Sequence, residues 1–320
     1  MEEVTWYDSF LESLYAKYPK KSTLAEALIE LLCIEREAVY RRLRKEVVFP
    51  TPEIVKIASA WNISLDEIVG INFGLVPFQM QPLNYLDPSK QEIINFQKRT
   101  RRLEHLQQSE NSEYMEVCNK LPRPIYITSL ILYRFEIFKW AYQYNHDGDE
   151  KSFSKAIIPP EINKEFEIYT KCIKNVSDSH FILDPMIFTY FVQNIQYFNS
   201  ILLITDEEKE LLKNELYKMI DYLHNIANNG CYPDTQKKVH LYISQININT
   251  NYSYYYTNQL KSCRVYAFGK FDICTYDLEM VLNFRKWMHA KKRAAIQISE
   301  TNEQHRIEYF KQQRLIVDTL

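Results

Sequence analysis

Residues 51 to 69 read TPEIVKIASAWNISLDEIV, and this run governs the reading of what lies on either side of it. Thr51 is suited to an N-cap and Pro52 to the first helical position, where its missing N–H costs nothing and its φ is already helical. Ile54, Ile57, Ala58 and Trp61 then recur at spacings of three and four or close to it, which predicts one buried helical stripe. Asn62 tolerates the left-handed conformation that stops a helix, and Ser64 with Glu67 makes a capping box that opens a short further helix. Two short capped helices around a tight turn are the closing part of a small bundle.

Moving towards the N-terminus, the same logic predicts three more helices. Val4, Tyr7, Leu11, Leu14 and Tyr18 form one face, ended by Pro19. Thr23 and Glu26 make a capping box ahead of Leu24, Leu28, Leu31 and Leu32, and a break near Cys33 and Ile34 precedes a third helix over about 35–46. That helix concentrates charge in Arg36, Arg41, Arg42, Arg44 and Lys45. On its projection Val39 and Leu43 point inward, while Arg36, Glu37, Tyr40, Arg41 and Arg44 lie towards the opposite side. Exposed guanidinium groups suit phosphate clamping and bidentate contacts to guanine, although a solvated helix face has the same look.

The run 51–69, with the helix, break and basic helix before it, resembles the closing part of the Cro and lambda-repressor-like helix-turn-helix family. The resemblance covers about residues 1–70 and implies a five-helix DNA-binding domain. In it, residues 35–46 would be the recognition helix in the major groove and Thr23 to Leu32 the helix that crosses the backbone. Position by position it places Leu28, Leu32, Ile34 and Val39 in the core. Arg36, Glu37, Tyr40 and Arg41 fall on its groove-facing positions, and with Arg42, Arg44 and Lys45 of the same charged run they make up the expected DNA-binding set. Two positions depart from the family pattern: Ile29 stands where alanine is usual and Cys33 where the turn usually has glycine. The whole chain is also similar to uncharacterised regulators of Bacteroides-type bacteria, through strings such as 38–44, 138–140 and 314–320.

Downstream, Pro77, Pro82 and Pro88 mark 71–88 as a linker. Residues 89–320 then read as a larger helical domain. A long helix runs to about Cys118, with Ile93, Phe96, Thr100, Leu103, Tyr114 and Val117 on heptad positions, either a dimer seam or an ordinary domain helix. Further helices are predicted over 126–144, 160–175, 184–203 and 205–229, the last opened by a Thr205 and Glu208 capping box. Alternation of Val239, Leu241 and Ile243, a bulge near Ser244 and Gln245, and a return through Cys263 to Phe268 predict one long antiparallel β-hairpin near 238–274. Two helices, 277–298 and 303–317, close the chain. The expected fold class is therefore mainly α, a five-helix helix-turn-helix bundle plus a larger helical domain containing one hairpin.

Composition limits the chemistry. With 320 residues and 46 % hydrophobic, the chain fills more than one core, and only 5 glycines leave little for phosphate-cradling loops. Six cysteines without a CxxC pair, and no charged-then-apolar leader at Met1 to Val4, point to a reduced cytoplasmic protein. No apolar run nears the roughly 18 residues of a membrane span, so no membrane partner is expected. Charge gives no global support for nucleic acid, since residues 1–70 carry 9 basic against 12 acidic side chains. The seven histidines stand apart in the sequence. Cys263 and Cys274 make a weak metal pair, the acidic turn at His146, Asp147, Asp149 and Glu150 reads as a solvated loop, and Ser152 with Lys155 matches SxxK without its partner motifs. The run Tyr252, Tyr254, Tyr255 and Tyr256 reads as strand packing rather than a stacking platform, and Lys286, Lys291, Lys292 and Arg293 as a solvated helix face beside Trp287. No catalytic set, metal or cofactor is expected.

The functional expectation is a sequence-specific transcriptional regulator that binds double-stranded DNA as a homodimer. Residues 89–320 would supply dimerisation and sensing of an unknown small-molecule or protein effector, in a pocket near Phe138, Trp140, Phe188, Tyr190 and Tyr197. The alternative is a helical protein-interaction scaffold whose head no longer binds DNA.

Overall fold

The computed structural model describes residues 5–70, 76–80, 88–109, 112–144, 152–267 and 271–320. Contacts divide the chain into two compact units, Met1–Pro77 and Phe78–Leu320. The acidic turn at 145–151 and most of the proline-rich linker lie outside the described residues.

The first unit holds α1 (Trp6–Lys17), α2 (Lys21–Leu32), α3 (Arg36–Leu43), α4 (Thr51–Trp61) and α5 (Leu65–Gly70). Thr5 and Asp8 cap α1 reciprocally, which satisfies two of the backbone N–H groups a helix start leaves open. Helix α2 opens at Lys21 without a side-chain cap, two residues before Thr23, and ends at Cys33 with φ 56°. Asn62, with φ 51°, ends α4 in the same left-handed way. Phe10, Leu14, Leu24, Leu28, Val39 and Ile57 are fully buried and form the centre of this unit.

The second unit overturns the mainly helical expectation. Its centre is an eight-stranded mixed sheet in the order β1-β7-β6-β5-β2-β3-β4-β8, so the unit is α/β. The strands are β1 (Gln79–Met80), β2 (Glu113–Cys118), β3 (Asp178–Leu183), β4 (Lys238–Ser244), β5 (Tyr252–Tyr256), β6 (Lys261–Ala267), β7 (Phe271–Thr275) and β8 (Ala295–Gln297). The helices are α6 (Pro88–Gln107), α7 (Arg123–Tyr126), α8 (Leu130–Tyr144), α9 (Pro160–Lys174), α10 (Thr189–Ser200), α11 (Asp206–Asn229), α12 (Leu278–Arg293) and α13 (Glu303–Asp318). Strands β2, β3 and β4 run parallel, and helices fill the crossovers between them, as parallel pairing requires.

The corrections have local causes. The heptad pattern expected to run to Cys118 stops at Gln107, and Glu113–Cys118 becomes a strand buried on both faces. Phe96 and Leu103 are fully buried inside this unit, so of the two readings of this stripe the structure takes the ordinary domain helix for these positions. The single hairpin is replaced as well. Strand β4 pairs with β3 and β8, β5 pairs with β2 and β6, and the segment after Ser244 leaves the sheet instead of forming a bulge. A parallel centre buries both faces, which hides the alternation by which a half-exposed strand is recognised.

The strand period of two assigns the faces. Tyr114, Phe181, Leu241 and Tyr255 point into the core shared with most of the helices. Met115, Val117, Ile182, Tyr242, Tyr254 and Cys263 point to the other face, where Val281, Phe284 and Met288 of α12 cover them. The outermost strands are the shortest, two residues in β1 and three in β8.

Candidate functional site

Helix α3 turns Val39 and Leu43 inward, so the charged residues between them are distributed by the helical period. Arg36 and Arg41 are exposed, 3.5 Å from Glu26 and 3.7 Å from Glu46 respectively. Arg44 lies just past α3 and reaches Glu46 at 2.6 Å and Glu37 at 2.7 Å, and these two carboxylates raise its pKa. Lys45 pairs with Asp8 on α1, a contact that holds the Asp8 carboxyl below its usual range. Tyr40 is half-buried against the core. Arg42 differs from the others. It is turned inward, donates to Glu53 of α4 at 3.0 Å and to the Ala38 carbonyl at 3.1 Å, and lies 5.6 Å from the Phe49 ring. Of the predicted DNA-binding set, Arg36, Glu37, Arg41 and Arg44 thus share an outward surface, whereas Arg42 ties α3 to α4.

The second unit contains charged groups that sequence reading passed over. Lys98, Arg99, Arg101 and Arg102 are four basic residues in five on α6, a run plain in the sequence but hidden there by the heptad reading. With His105 they line a groove of about 410 Å³ beside β1 and β7. Arg99 is buried and donates to Asp272 at 3.0 Å, and Asp272 also receives Arg264 at 2.5 Å. Arg264 further donates to Tyr255 Oη at 2.8 Å and to Ser253 Oγ at 3.2 Å. Burial alone would raise the Asp272 pKa, but Arg264 and Arg99 overcome it and hold the carboxyl well below the usual range. Burial lowers the Lys98 pKa, and the positive charge of Arg102 adds to that effect.

On the α12 face of the sheet, the register brings together histidines that stand sixty residues apart. His180 of β3 is paired with His240 of β4, and their rings stack at 4.6 Å and 16°. Asp178, two residues before His180, lies 3.0 Å from His240 Nε2 and 3.5 Å from His180 Nε2. Hydrogen bonds from His180 and His240 hold the Asp178 carboxyl below its usual range. Lys292 of α12 approaches His180 Nδ1 at 3.3 Å. Beside this group Glu113 binds Arg285 at 2.7 Å and His289 at 2.9 Å. Burial opposes ionisation of Glu113, but hydrogen bonds from Tyr254 and Arg285 prevail and lower its pKa. Among the described residues, Asp178, His180 and His240 are the group whose donor atoms converge closely enough to hold a metal ion. Isolation of the histidines in the sequence therefore does not carry over to the fold.

Other residues singled out from the sequence fall elsewhere. Cys263 and Cys274 sit on adjacent strands, but Cys274 is paired with Arg264 and Cys263 with Thr275, so the thiols are out of register. Tyr254 and Tyr255 are fully buried in the sheet. The Ser152 hydroxyl is bonded to Ser154 at 2.9 Å. Phe138 and Phe188 belong to the core and Tyr197 is exposed. Trp140 and Tyr190 line a cavity of about 320 Å³ whose other walls include the polar Asn119, Lys120 and Arg123 just past β2. Of the basic residues on α12, Lys291 lies over the Trp287 ring at 5.7 Å while Lys292 faces the sheet.

Among the described residues no helix is long and apolar enough to cross a membrane. Compared with protein families, curated proteins and solved structures, the chain matches none.

Proposed function

We propose that this chain is a sequence-specific DNA-binding transcriptional regulator, with α3 as the element that enters the major groove. The observation that carries the reading is the outward surface of Arg36, Arg41 and Arg44, set by the burial of Val39 and Leu43 behind it. Their carboxylate partners are themselves exposed. Such surface pairs contribute only about 0–1 kcal/mol each, so a phosphate or a guanine edge can replace the carboxylate at small cost. Ligand response is the second part of the proposal. The groove is lined by Lys98, Arg101, Arg102 and His105 besides the buried Arg99–Asp272 pair, an excess of cations that favours a small anionic effector, and a volume of about 410 Å³ suits a small molecule. Dimerisation by the second unit completes it, with a seam other than the buried face of α6.

The test is a titration of the full chain against pooled duplex DNA at several salt concentrations, with and without inorganic pyrophosphate. Binding through α3 should weaken with salt by a slope of about −0.9 per phosphate neutralised. Arg41→Ala and Arg44→Ala should each cost about 1–3 kcal/mol on the preferred site if the residue reads a base. Pyrophosphate in the groove should change that affinity. Unchanged affinity in both variants would favour the protein-interaction scaffold, a reading to which the complete carboxylate pairing of Arg36, Arg41 and Arg44 also lends weight.

A further inference from the structure

We propose that Asp178, His180 and His240 form a binding site for a divalent transition metal ion of the zinc or cobalt kind. The argument begins with pairing. In a parallel pair, residues in register share a face, so His180 and His240 project side by side. The period of two puts Asp178 on that face also. All three donors lie within 4.8 Å of one another. Bonds of about 2.1 Å at tetrahedral angles place neighbouring donors about 3.4 Å apart. The Asp178 oxygens stand 3.0 Å from His240 Nε2 and 3.5 Å from His180 Nε2, so little movement is needed to admit an ion. Two imidazoles select zinc, cobalt, nickel or copper over magnesium or calcium, which take oxygen ligands. His180 is only 8 % exposed and Asp178 is 42 % exposed, which gives a fixed inner wall and an open side for water at the remaining position.

Lys292 sets a condition on this site. Its ammonium donates to His180 Nδ1, which leaves the ring proton on Nε2, directed at Asp178. A metal ion on Nε2 requires the proton to move to Nδ1, and Lys292 must then swing off that nitrogen. The Tyr242 ring, 5.4 Å from the ammonium, offers the displaced cation a place to rest. Lys292 therefore holds His180 in the tautomer whose Nε2 carries the proton, the one that ion binding at Nε2 must reverse.

The experiment is a titration of the chelator-treated full chain with Co(II), followed by visible absorption. The expected result is saturable binding of one ion per chain, with the spectrum of nitrogen and oxygen ligands and without an intense thiolate charge-transfer band. His240→Gln and Asp178→Asn, both at half-buried positions, should abolish it while the metal-free chain still unfolds cooperatively, with at most a modest loss of thermal stability. Lys292→Gln should bind the ion roughly tenfold more tightly. Absence of saturable binding, binding that survives both ligand variants, a thiolate spectrum, or weaker binding by Lys292→Gln would each overturn the proposal.

Discussion

The arginines on and just past α3 and the pair around Asp272 carry the same charge under opposite conditions. Arg36, Arg41 and Arg44 stand in water beside exposed carboxylates. Arg99 and Arg264 are 4 % and 3 % exposed and enclose Asp272 from two sides. In the first setting a partner can be exchanged, because solvent screens what is lost. In the second it cannot, because removing one member leaves a charge stranded where water does not reach. The lesson is that a basic cluster becomes available for recognition or fixed as structure through burial, not through its number of arginines. Arg42 shows the boundary running through a single helix, since it sits next to Arg41 yet belongs with the buried class.

The most severe way to break this contrast is Asp272→Asn, which strands Arg99 and Arg264 together. Equilibrium denaturation should show a loss of about 3–5 kcal/mol in the second unit. The native pKa of Asp272 lies below its unfolded value, so its contribution is complete above about pH 5 and is lost progressively as the pH falls from there through the native pKa. The deficit of the variant should therefore stay constant from about pH 8 to about pH 5. A loss under about 1 kcal/mol would show that solvent reaches these groups after all.

A smaller effect is expected from Arg42→Ala. Losing its bonds to Glu53 and Ala38 should destabilise the first unit by about 1.5–2 kcal/mol, whereas Arg41→Ala should leave its stability within about 0.5 kcal/mol. Equal effects in thermal unfolding of the two variants would erase the distinction drawn inside α3. The smallest expected effect concerns backbone rather than charge. Cys33 holds φ 56°, a conformation that costs a β-carbon about 1–2 kcal/mol and glycine almost nothing. After the greater unfolded-state freedom of glycine is subtracted, Cys33→Gly should stabilise the first unit by about 0.5–1 kcal/mol. A lower melting temperature would mean that the side chain contributes contacts outweighing its strain.

Legibility in the sequence followed the range of the interactions involved. The helix stop at Asn62 and the reciprocal cap of Thr205 and Glu208 depend on residues within one turn, and both are present. Strands β2 and β3 depend on neighbours far along the chain. Glu113–Cys118 carries two glutamates in six residues, and one of them, Glu116, is buried and bonded to Tyr114 at 2.5 Å, so neither alternation nor an apolar run announces the strand. The cluster at Asp178 is less legible still, because a parallel register is decided by the whole sheet and brings His240 beside His180 only after the sheet exists. The inward turn of Arg42 was hidden because periodicity assigns it a side of α3 but not the partner, Glu53, that lies on the next helix.

The unequal strand lengths in the sheet also bear on how the protein behaves when crowded. A sheet of eight strands could offer two long rows of unpaired backbone groups to any other chain with β propensity, the usual nucleus of edge-to-edge aggregation. Here β1 offers two residues and β8 three. Much of the remaining border of β4 is already occupied, since the Leu241 N–H donates to Ser299 Oγ, the Leu241 carbonyl accepts from Ile298, and the Val239 N–H donates to the Gly230 carbonyl. Among the described residues the β4 side of the parallel centre is thereby kept out of reach of intermolecular strand addition, in a chain that carries 24 tyrosines and 17 phenylalanines.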